Sequence, residues 1–564
     1  MSTLQAPEPA YSEKSESSTL AENCNPSKEH SSASSMNIRL TQTQPPNRDD
    51  SSRQKKEWPT DWRAYTTLLG GFLLMFNSWG IVNAFGTFLS FYQEVLLPDS
   101  KLEVFNLIGS TQSFVVLLLS MFVGRILDAG HHLPLKIIGT FFVCLGLFLL
   151  SIVNGGGMQG EGSAALDWVV QGLICGLGMA CFFVTSSQVV ATWFIDRKGF
   201  AIGVVATGAS IAGLIYPIML RFLIDQYGFN TAVRYITLLC FLTCLLAITL
   251  QRPNPAHQLR PLARRPVPTS SASPPSSAPI AAPIFAVKTW LDPLALRSTP
   301  FLLFTAAIAM MFFGFYGVFF NLEEWAAQKR VGFKGVAPPP CPPEQATGCV
   351  TPGLRTYWLL AIMNASSSIG RLSSSYLCDL FGALRVHAIV SVTSGLLCLC
   401  LWTFASTLPS AIAFVVLFGA FSGSVIGLPP ASMAAILGKG EDAQARLGQW
   451  TGMMYTAAAP FALTGPVLEG YFIGRFGYNY ITIQCFSGTC LLISGGLMAA
   501  ALRWSEGERE KRKDRREQGE GWLQRWKSRR SAERLGSVVE GMSSRAGSLF
   551  RSGKEDGRDS DGKA

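Results

Sequence analysis

The sequence predicts an all-α integral membrane protein with twelve transmembrane helices, arranged as two parallel-repeat bundles of six. Three observations carry this prediction. Of the 564 residues, 48% are hydrophobic and only 15% are charged, unlike a soluble protein of this length. Twelve apolar stretches of about 20 residues follow one another, the length with which a helix crosses the hydrocarbon core. The stretches form two sets of six, and short polar motifs recur at similar offsets in both sets.

Two bundles of predicted helices divide the chain. The first bundle covers residues 65–250, with helices at about 65–92, 104–127, 134–153, 167–192, 200–224 and 232–250. The second bundle covers residues 300–503, with helices at about 300–322, 356–377, 386–405, 410–437, 450–474 and 479–502. Each stretch is long enough to span the hydrocarbon core as a helix.

Three polar segments flank and join the bundles. Residues 1–64 form an N-terminal tail, whose first 57 residues are rich in Ser, Pro and Glu and contain no apolar core, so we expect disorder and no cleavable signal peptide. Residues 251–299 form a Pro- and Ser-rich linker. Residues 504–564 form a basic C-terminal tail with Trp522 and Trp526 at helical spacing, which lies either on an anionic membrane surface or free in solvent.

The two bundles repeat each other's motifs. Asp128 follows the second helix and Asp379 follows the eighth, 251 residues later. Gly203 and Gly452 stand at the start of the fifth and eleventh helices and are 249 residues apart. Two such halves, related as parallel repeats, are typical of a carrier that binds its substrate between them at the bilayer midplane.

Positive charge predicts the orientation in the membrane. On the side of the chain termini, the loops between helices contain Arg125, Lys136, Arg197, Lys198, Arg385, Lys439 and Arg446. Loops rich in Lys and Arg are retained in the cytoplasm. We therefore expect a multi-pass membrane protein with both termini in the cytoplasm, and the plasma membrane is the expected location.

Enzymatic and cofactor chemistry finds little support in the sequence. None of the five histidines has the spacing of a zinc site, and there is no nucleotide-binding Walker loop. We expect no cofactor, no bound metal and no nucleic-acid partner. Most of the thirteen cysteines lie inside predicted helices, but Cys341 and Cys349 lie in a Pro-rich loop on the non-cytosolic side. These two cysteines either form a disulfide or remain free thiols.

Arg371 is the strongest candidate for binding substrate. It lies about fifteen residues into the eighth helix and eight residues before Asp379, which is about 12 Å along the axis. A guanidinium at that depth keeps its charge and must face a cavity or a partner. Its geometry suits bidentate capture of a carboxylate. The alternative is a fixed salt bridge or a carbonyl clamp that holds the helix in place.

Three amides in predicted helices are further substrate-binding candidates. Asn77 and Asn83 lie in the first helix and Asn364 lies in the eighth. Such groups are costly in lipid and are expected to face the protein interior. They either line the transport path or form hydrogen bonds between helices.

Charged residues at the helix ends are candidates for gating. Asp128 and Asp379 can pair with arginines in neighbouring loops, and we expect such pairs to form in one access state and break in the other. The arginines are Arg125, Arg197, Arg385 and Arg446. The alternative is ordinary solvation, because surface ion pairs contribute little.

Several of these motifs together resemble the fungal branch of the monocarboxylate-porter family, within the major facilitator superfamily. They are NSWGIVNAFGTF at 77–88, DRKGFAIG at 196–203 with YPIM at 216–219, and NASSSIGR at 364–371 with Asp379. The resemblance covers about residues 58–503 and implies the twelve-helix major-facilitator fold. The best-understood animal members move lactate or pyruvate with a proton.

The resemblance assigns Arg371 to the arginine with which the animal members bind the carboxylate. Two positions depart from the pattern. Ser367 stands where those members have an aspartate, and Asn83 stands where they have a lysine. Neither a hydroxyl nor an amide titrates at physiological pH, so the ionisable groups of lactate–proton symport are two residues short.

The sequence thus predicts a secondary transporter, not an enzyme, that moves a small organic anion such as a monocarboxylate by alternating access. Its expected partners are the lipid bilayer, the small-molecule substrate and, as a candidate coupling ion, the proton. Two alternatives stay open: an exporter of a secondary metabolite, and a non-transporting nutrient sensor built on a carrier fold.

Overall fold

A computed structural model describes residues 58–128, 130–194, 197–255, 290–333, 355–438 and 441–552. The regular secondary structure of these ranges is helical. They contain no strand, and one isolated antiparallel bridge joins Phe333 and Arg355. The predicted all-α membrane fold in two six-helix bundles is confirmed. Cys341 and Cys349, the candidate disulfide, lie outside the described residues.

The first bundle contains six helices, named α1 to α6. α1 covers residues 62–96 in four pieces, which are Trp62–Phe76, Trp79–Asn83, Phe85–Phe91 and the π-helical Tyr92–Leu96. The others are α2 Leu102–Asp128, α3 His132–Val153, α4 Ala164–Ala191, α5 Lys198–Tyr227 and α6 Phe229–Leu250. α1 begins three residues earlier than expected because Asp61 caps it, accepting a hydrogen bond of 2.9 Å from the backbone N–H of Arg63.

The second bundle contains six more helices, named α7 to α12. A short helix, Pro293–Leu296, precedes them. They are α7 Thr299–Gln328, α8 Tyr357–Phe381, α9 Ala383–Trp402, α10 Leu408–Gly427 with its continuation Pro429–Leu437, α11 Glu441–Arg475 and α12 Ile481–Ser552. The face on which α1 begins and α12 leaves the bundle is called the tail face below, and the opposite one the far face.

Nine helices in the described ranges are long and apolar enough to cross a membrane by length and composition alone. The three that fall short are α1, α8 and α11. α1 is interrupted, α8 carries six serines between Ser366 and Ser375 besides Arg371, and α11 starts with a polar turn. A helix whose polar residues face its neighbours crosses the bilayer without a high average hydropathy.

Two helices extend beyond the ends expected from sequence. α7 was expected to end at residue 322 but runs to Gln328, which brings Glu323 and Glu324 inside the helix. α12 was expected to give way to a tail at residue 504 but continues to Ser552. Glu, Lys and Arg are good helix formers, and contacts four residues apart support this extension. Trp504 donates to Glu508 at 3.2 Å, for example.

The two bundles meet through small residues on paired helices. A Cβ atom added to Gly203 of α5 would overlap Ser375 of α8, and one added to Gly452 of α11 would lie 3.0 Å from the Cα atom of Met121 in α2. Missing side chains let the backbones approach closely. Gly203 and Gly452, the repeat pair seen in the sequence, thus occupy equivalent places at the interface between bundles.

Candidate substrate site and gates

A small cavity lies between the bundles, well inside the protein. Its volume is about 40 Å³, room for a few water molecules at most. The first bundle lines it with Met75, Trp79, Phe183, Ser187, Ile202 and Ala206, and the second with Phe312, Tyr316, Arg371, Ile426, Gly427, Pro430 and Tyr455. Small-molecule sites occupy about 300–1,000 Å³, so this cavity is smaller than a typical substrate site.

Arg371 is buried in the cavity wall and bonds across the interface between the bundles. Its Nη1 atom donates to the backbone carbonyl of Ala206 in α5 at 2.9 Å, and its Nε atom donates to Ser367 Oγ at 3.4 Å. Ser367 Oγ lies 3.1 Å from Ser210 Oγ of α5. The carbonyl-clamp contact that the sequence left open is therefore present, and it joins the two bundles.

Aromatic rings form most of the remaining wall. Trp79 of α1 stacks on Tyr316 of α7 with ring centroids 5.5 Å apart and planes 12° apart. Phe312, one turn earlier in α7, lies nearly parallel to both. Phe183 and Tyr455 meet this stack edge-on. The cavity is thus apolar and aromatic on several sides, with Arg371 as its cation.

The three candidate amides are buried in different surroundings. Asn77 donates to Thr243 Oγ1 at 2.8 Å and accepts from Tyr216 at 2.9 Å. Asn83 donates to the carbonyl of Ala209 at 3.3 Å. These contacts lie inside the first bundle and match the alternative of hydrogen bonds between helices. None of the three amides lines the cavity.

Asn364 differs from the other two because it lies at the interface between the bundles. Its amide donates to the carbonyl of Leu360 in its own helix at 3.0 Å. A Cβ atom on Gly213 of α5 would overlap its Oδ1 atom, which is buried and has no hydrogen-bond partner in the described part of the chain. Asn364 therefore packs against the opposite bundle, next to the wall that carries Arg371.

The candidate gate residues of the second bundle lie at the tail face. Arg385 pairs with Glu506 of α12 at 2.9 Å, and both side chains are about half exposed, at 54% and 48%. This pair belongs to a single bundle. Asp379 is exposed near the end of α8. Arg446 lies 3.6 Å from Asp292, which precedes α7 in the same bundle.

The candidate gate residues of the first bundle also lie at the tail face. Arg197 precedes α5, and its guanidinium lies 4.2 Å from the ring centre of Trp58. Arg125 is half-buried in the last turn of α2, and Asp128 ends that helix. The contact between Arg197 and Trp58 ties the N-terminal segment to the tail face.

A cluster of polar and charged residues joins the bundles at the far face and was not expected from the sequence. Glu323 of α7 accepts a hydrogen bond from Thr87 of α1 and lies 3.9 Å from Arg221 of α5. Arg221 also pairs with Glu94 at 3.2 Å and donates to Ser90 at 2.7 Å. We call Thr87, Glu94, Arg221 and Glu323 the far-face cluster. Glu323 escaped notice because α7 was expected to end one residue before it.

A second buried carboxyl group was also missed. Glu469 of α11 accepts from Ser487 of α12 at 2.8 Å and is fully buried. A Cβ atom on Gly317 of α7 would overlap its Oε2 atom. Glu469 could have been identified from the sequence, because an acidic residue inside a predicted transmembrane helix is a functional candidate by default. Within the described residues, no three His, Cys, Asp or Glu side chains lie close enough together to hold a metal ion.

Two apolar helical bundles with a cavity at their interface are the architecture of a multi-pass membrane transporter. A family model described as Major Facilitator Superfamily matches residues 67–354 and 350–544. The chain therefore belongs to the major facilitator superfamily. The structure of the transporter FucP in its outward conformation has the same fold, with a TM-score of 0.50 and 14% identity over 78% of this chain and 98% of that one.

Several curated relatives are fungal transporters. The MFS-type transporter hasB of Aspergillus fumigatus is 30% identical over 79% of this chain and 90% of its own length. The MFS-type transporter dbaD of Emericella nidulans is 27% identical over 78% and 86%. The Fujikurins efflux protein of Gibberella fujikuroi is 26% identical over 81% and 87%.

Proposed function

We propose that this transporter exports a small secondary metabolite that carries an oxygen acceptor, by alternating access of the central cavity. The observation that carries the proposal is Arg371, a buried cation in an otherwise aromatic cavity between the bundles. The relative from Gibberella fujikuroi is named a fujikurins efflux protein. Export of a secondary metabolite thus replaces transport of a small organic anion, the main expectation from sequence, as the favoured function.

Arg371 suits a substrate oxygen because its present partner is replaceable. The guanidinium bonds to the Ala206 carbonyl of the opposite bundle, a neutral acceptor. A carboxylate or phenolate binds a guanidinium more strongly, since its negative charge attracts the cation and a carboxylate can accept two parallel hydrogen bonds. Arrival of the substrate would release the Ala206 carbonyl, and with it one bond that holds the bundles together.

Gating would involve both faces. At the far face, opening must break the bonds from Thr87 and Arg221 to Glu323, because they join different bundles. At the tail face we keep Asp128, Arg125, Arg197, Asp379 and Arg385 as candidate gate residues. The pairing of Arg385 with Glu506 favours a static role for that residue.

The orientation and location also remain proposals. Lys and Arg are concentrated in the tail-face loops, which supports cytoplasmic termini by the positive-inside rule. The far face would then point out of the cytoplasm, and we place the protein in the plasma membrane because an exporter acts there. The N-terminal tail, the linker and the C-terminal segment would all lie in the cytoplasm.

The proposal is tested with the purified chain in proteoliposomes. Vesicles are incubated with a culture extract from the encoding organism, and the compounds that enter are identified by mass spectrometry. We expect acidic or phenolic components to accumulate, and their uptake to fall at least about tenfold in Arg371→Gln. Arg297→Gln is the matched control, because Arg297 is exposed beside α7 at the tail face.

A second candidate function is transport of a simple monocarboxylate, as in the family branch that the motifs resemble. Arg371 favours it, because a guanidinium captures any carboxylate. Labelled lactate and pyruvate are therefore included in the same vesicle experiment. Uptake of these acids without any component of the extract would replace export of a metabolite by monocarboxylate transport. Vesicles that take up nothing beyond the protein-free background would contradict both.

A further inference from the structure

We infer that the central cavity takes a flat, conjugated ring system, inserted between Trp79 of α1 and the rings of Phe312 and Tyr316 of α7. This rests on the proposed export function and narrows its substrate class. The preferred substrates are planar aromatic or conjugated compounds with an oxygen acceptor. Saturated compounds of the same size and charge are excluded or bind weakly.

The three rings already have the geometry of a stacking site. Trp79 and Tyr316 are 12° from parallel, Trp79 and Phe312 are 26° from parallel, and Phe312 and Tyr316 are 17° from parallel. Their centroids are 5.5, 6.1 and 6.2 Å apart in the same order. Parallel, offset rings at such distances attract each other beyond simple burial of area.

The stack spans the interface between the bundles. Trp79 belongs to the first bundle, whereas Phe312 and Tyr316 belong to the second. Alternating access moves one bundle against the other, so it changes the separation of these rings. A separation larger by about 3.5 Å, the contact distance between carbon atoms, admits one flat ring and leaves no room for a puckered one.

Two further rings lie beside the space between Trp79 and the rings of Phe312 and Tyr316, which we call the slot. Phe183 of α4 meets Trp79 edge-on, with centroids 5.4 Å apart and planes 77° apart. Tyr455 of α11 meets Phe312 at 6.5 Å and 70°, and it touches Phe183 at 5.2 Å. The slot is therefore bounded by rings from both bundles, which limits the width as well as the thickness of its occupant.

Two buried hydrogen-bond donors of the slot have no acceptor among the described residues. Trp79 Nε1 and the Tyr316 hydroxyl belong to side chains that are 5% and 0% exposed, and neither atom has a hydrogen-bond partner among the residues that the structure describes. Both side chains line the same cavity as Arg371, and the residues found to line it include no carboxylate. Buried donors without partners are costly, so an occupant that carries an acceptor oxygen is favoured over a cation.

Binding of matched probes tests the inference. The full chain in nanodiscs is equilibrated with naphthalene-2-carboxylate, with its saturated analogue decahydronaphthalene-2-carboxylate, and with the cation 2-naphthylmethylammonium. Stacking against two rings should favour the naphthoate over the saturated acid by about 5- to 150-fold. The cation should not compete. The preference should fall by about 2- to 12-fold in Phe312→Leu, which removes one stacking ring, and persist in Phe312→Tyr, which keeps the ring.

Phe313→Leu is the matched control, because Phe313 is the next residue of α7 but packs on Phe461 and Phe486 away from the cavity. It should keep the full preference. Equal affinity for both acids, no saturable naphthoate binding, or an equal loss in both leucine variants would overturn the slot. If metabolites enter the vesicles but any of these results is found, the export proposal stands and the slot is refuted. If no metabolite enters but the naphthoate preference holds, export is refuted and the slot stands.

Discussion

Loss of one hydroxyl group at the far face should open the transporter on that side. Thr87 of α1 donates its hydroxyl hydrogen to Glu323 of α7, and both side chains are buried, at 0% and 1% exposure. The bond joins the two bundles, so it exists only while the far face is closed. Thr87→Val keeps the shape of the side chain and removes the donor.

The size of the effect follows from the kind of bond. A hydrogen bond to a charged group is worth about 1.5–3 kcal/mol. Because about 1.4 kcal/mol is a factor of ten in an equilibrium constant, Thr87→Val should raise the ratio of far-face-open to closed protein by about 10- to 150-fold. The contact of Glu323 with Arg221 at 3.9 Å remains in the variant, which should keep the closed state populated.

Accessibility of the cavity measures this ratio. Ser187 lines the cavity, and Ser187→Cys places a thiol there. The rate at which a membrane-impermeant methanethiosulfonate labels this thiol is compared from each face of oriented vesicles, after subtraction of labelling in the parent without Ser187→Cys. We expect Thr87→Val to speed labelling from the far face by the factor above and to leave or lower the rate from the tail face.

The matched control is Thr67→Val in the same helix. Thr67 donates to the carbonyl of Arg252 at 3.0 Å, and α1 together with the segment that follows α6 belongs to one side of the interface. This variant loses a hydrogen bond but no contact between bundles, so it should not change either rate. A far-face rate within twofold of the parent, or an equal rise from both faces, would refute a gating role for the bond between Thr87 and Glu323.

Three further predictions test contacts between helices, one of them between the bundles and two within the second bundle. Oxidation of Met121→Cys/Gly452→Cys should lower transport at least about tenfold and dithiothreitol should restore it, because the Cβ atom built on Gly452 lies 3.5 Å from that of Met121, within disulfide range; unimpaired transport by the cross-linked protein would show that α2 and α11 do not part. Gly317→Ala should lower the free energy of unfolding by about 1–3 kcal/mol, measured by denaturation in detergent, since the new Cβ would overlap Glu469; unchanged stability would contradict this overlap. Arg385→Gln should change transport less than twofold, because its ion pair is exposed and within one bundle; a larger loss would support the gating role expected from sequence.

Some residues of the candidate site could be predicted from the sequence and others could not. Arg371 was found because a guanidinium deep in an apolar stretch has few explanations, and it lies in the cavity wall. Asn83 was chosen by the same rule, but its amide bonds to Ala209 inside the first bundle. Sequence spacing places a residue at a depth in the membrane and leaves open the side of the helix on which its partners lie.

The far-face cluster shows a different limit. Its members Thr87, Glu94, Arg221 and Glu323 come from three helices and are separated by up to 236 residues, as in the bond from Thr87 to Glu323. Glu323 looked like a loop residue because hydropathy falls at the end of α7, yet it lies inside that helix, buried and bonded to Thr87 of the other bundle. A cluster built from single residues on separate helices leaves no motif in the sequence.

Local composition decides the class of this protein. A membrane helix must satisfy its own backbone hydrogen bonds within about 20 apolar residues. Each helix can therefore be located from consecutive residues, and the number, order and repeat relation of the helices follow from their positions along the chain. The aromatic stack of Trp79 with Phe312 and Tyr316 and the bond from Arg371 to Ala206 are decided only in the tertiary structure. They depend on which faces of helices from two bundles meet, and that is a property of packing between distant segments.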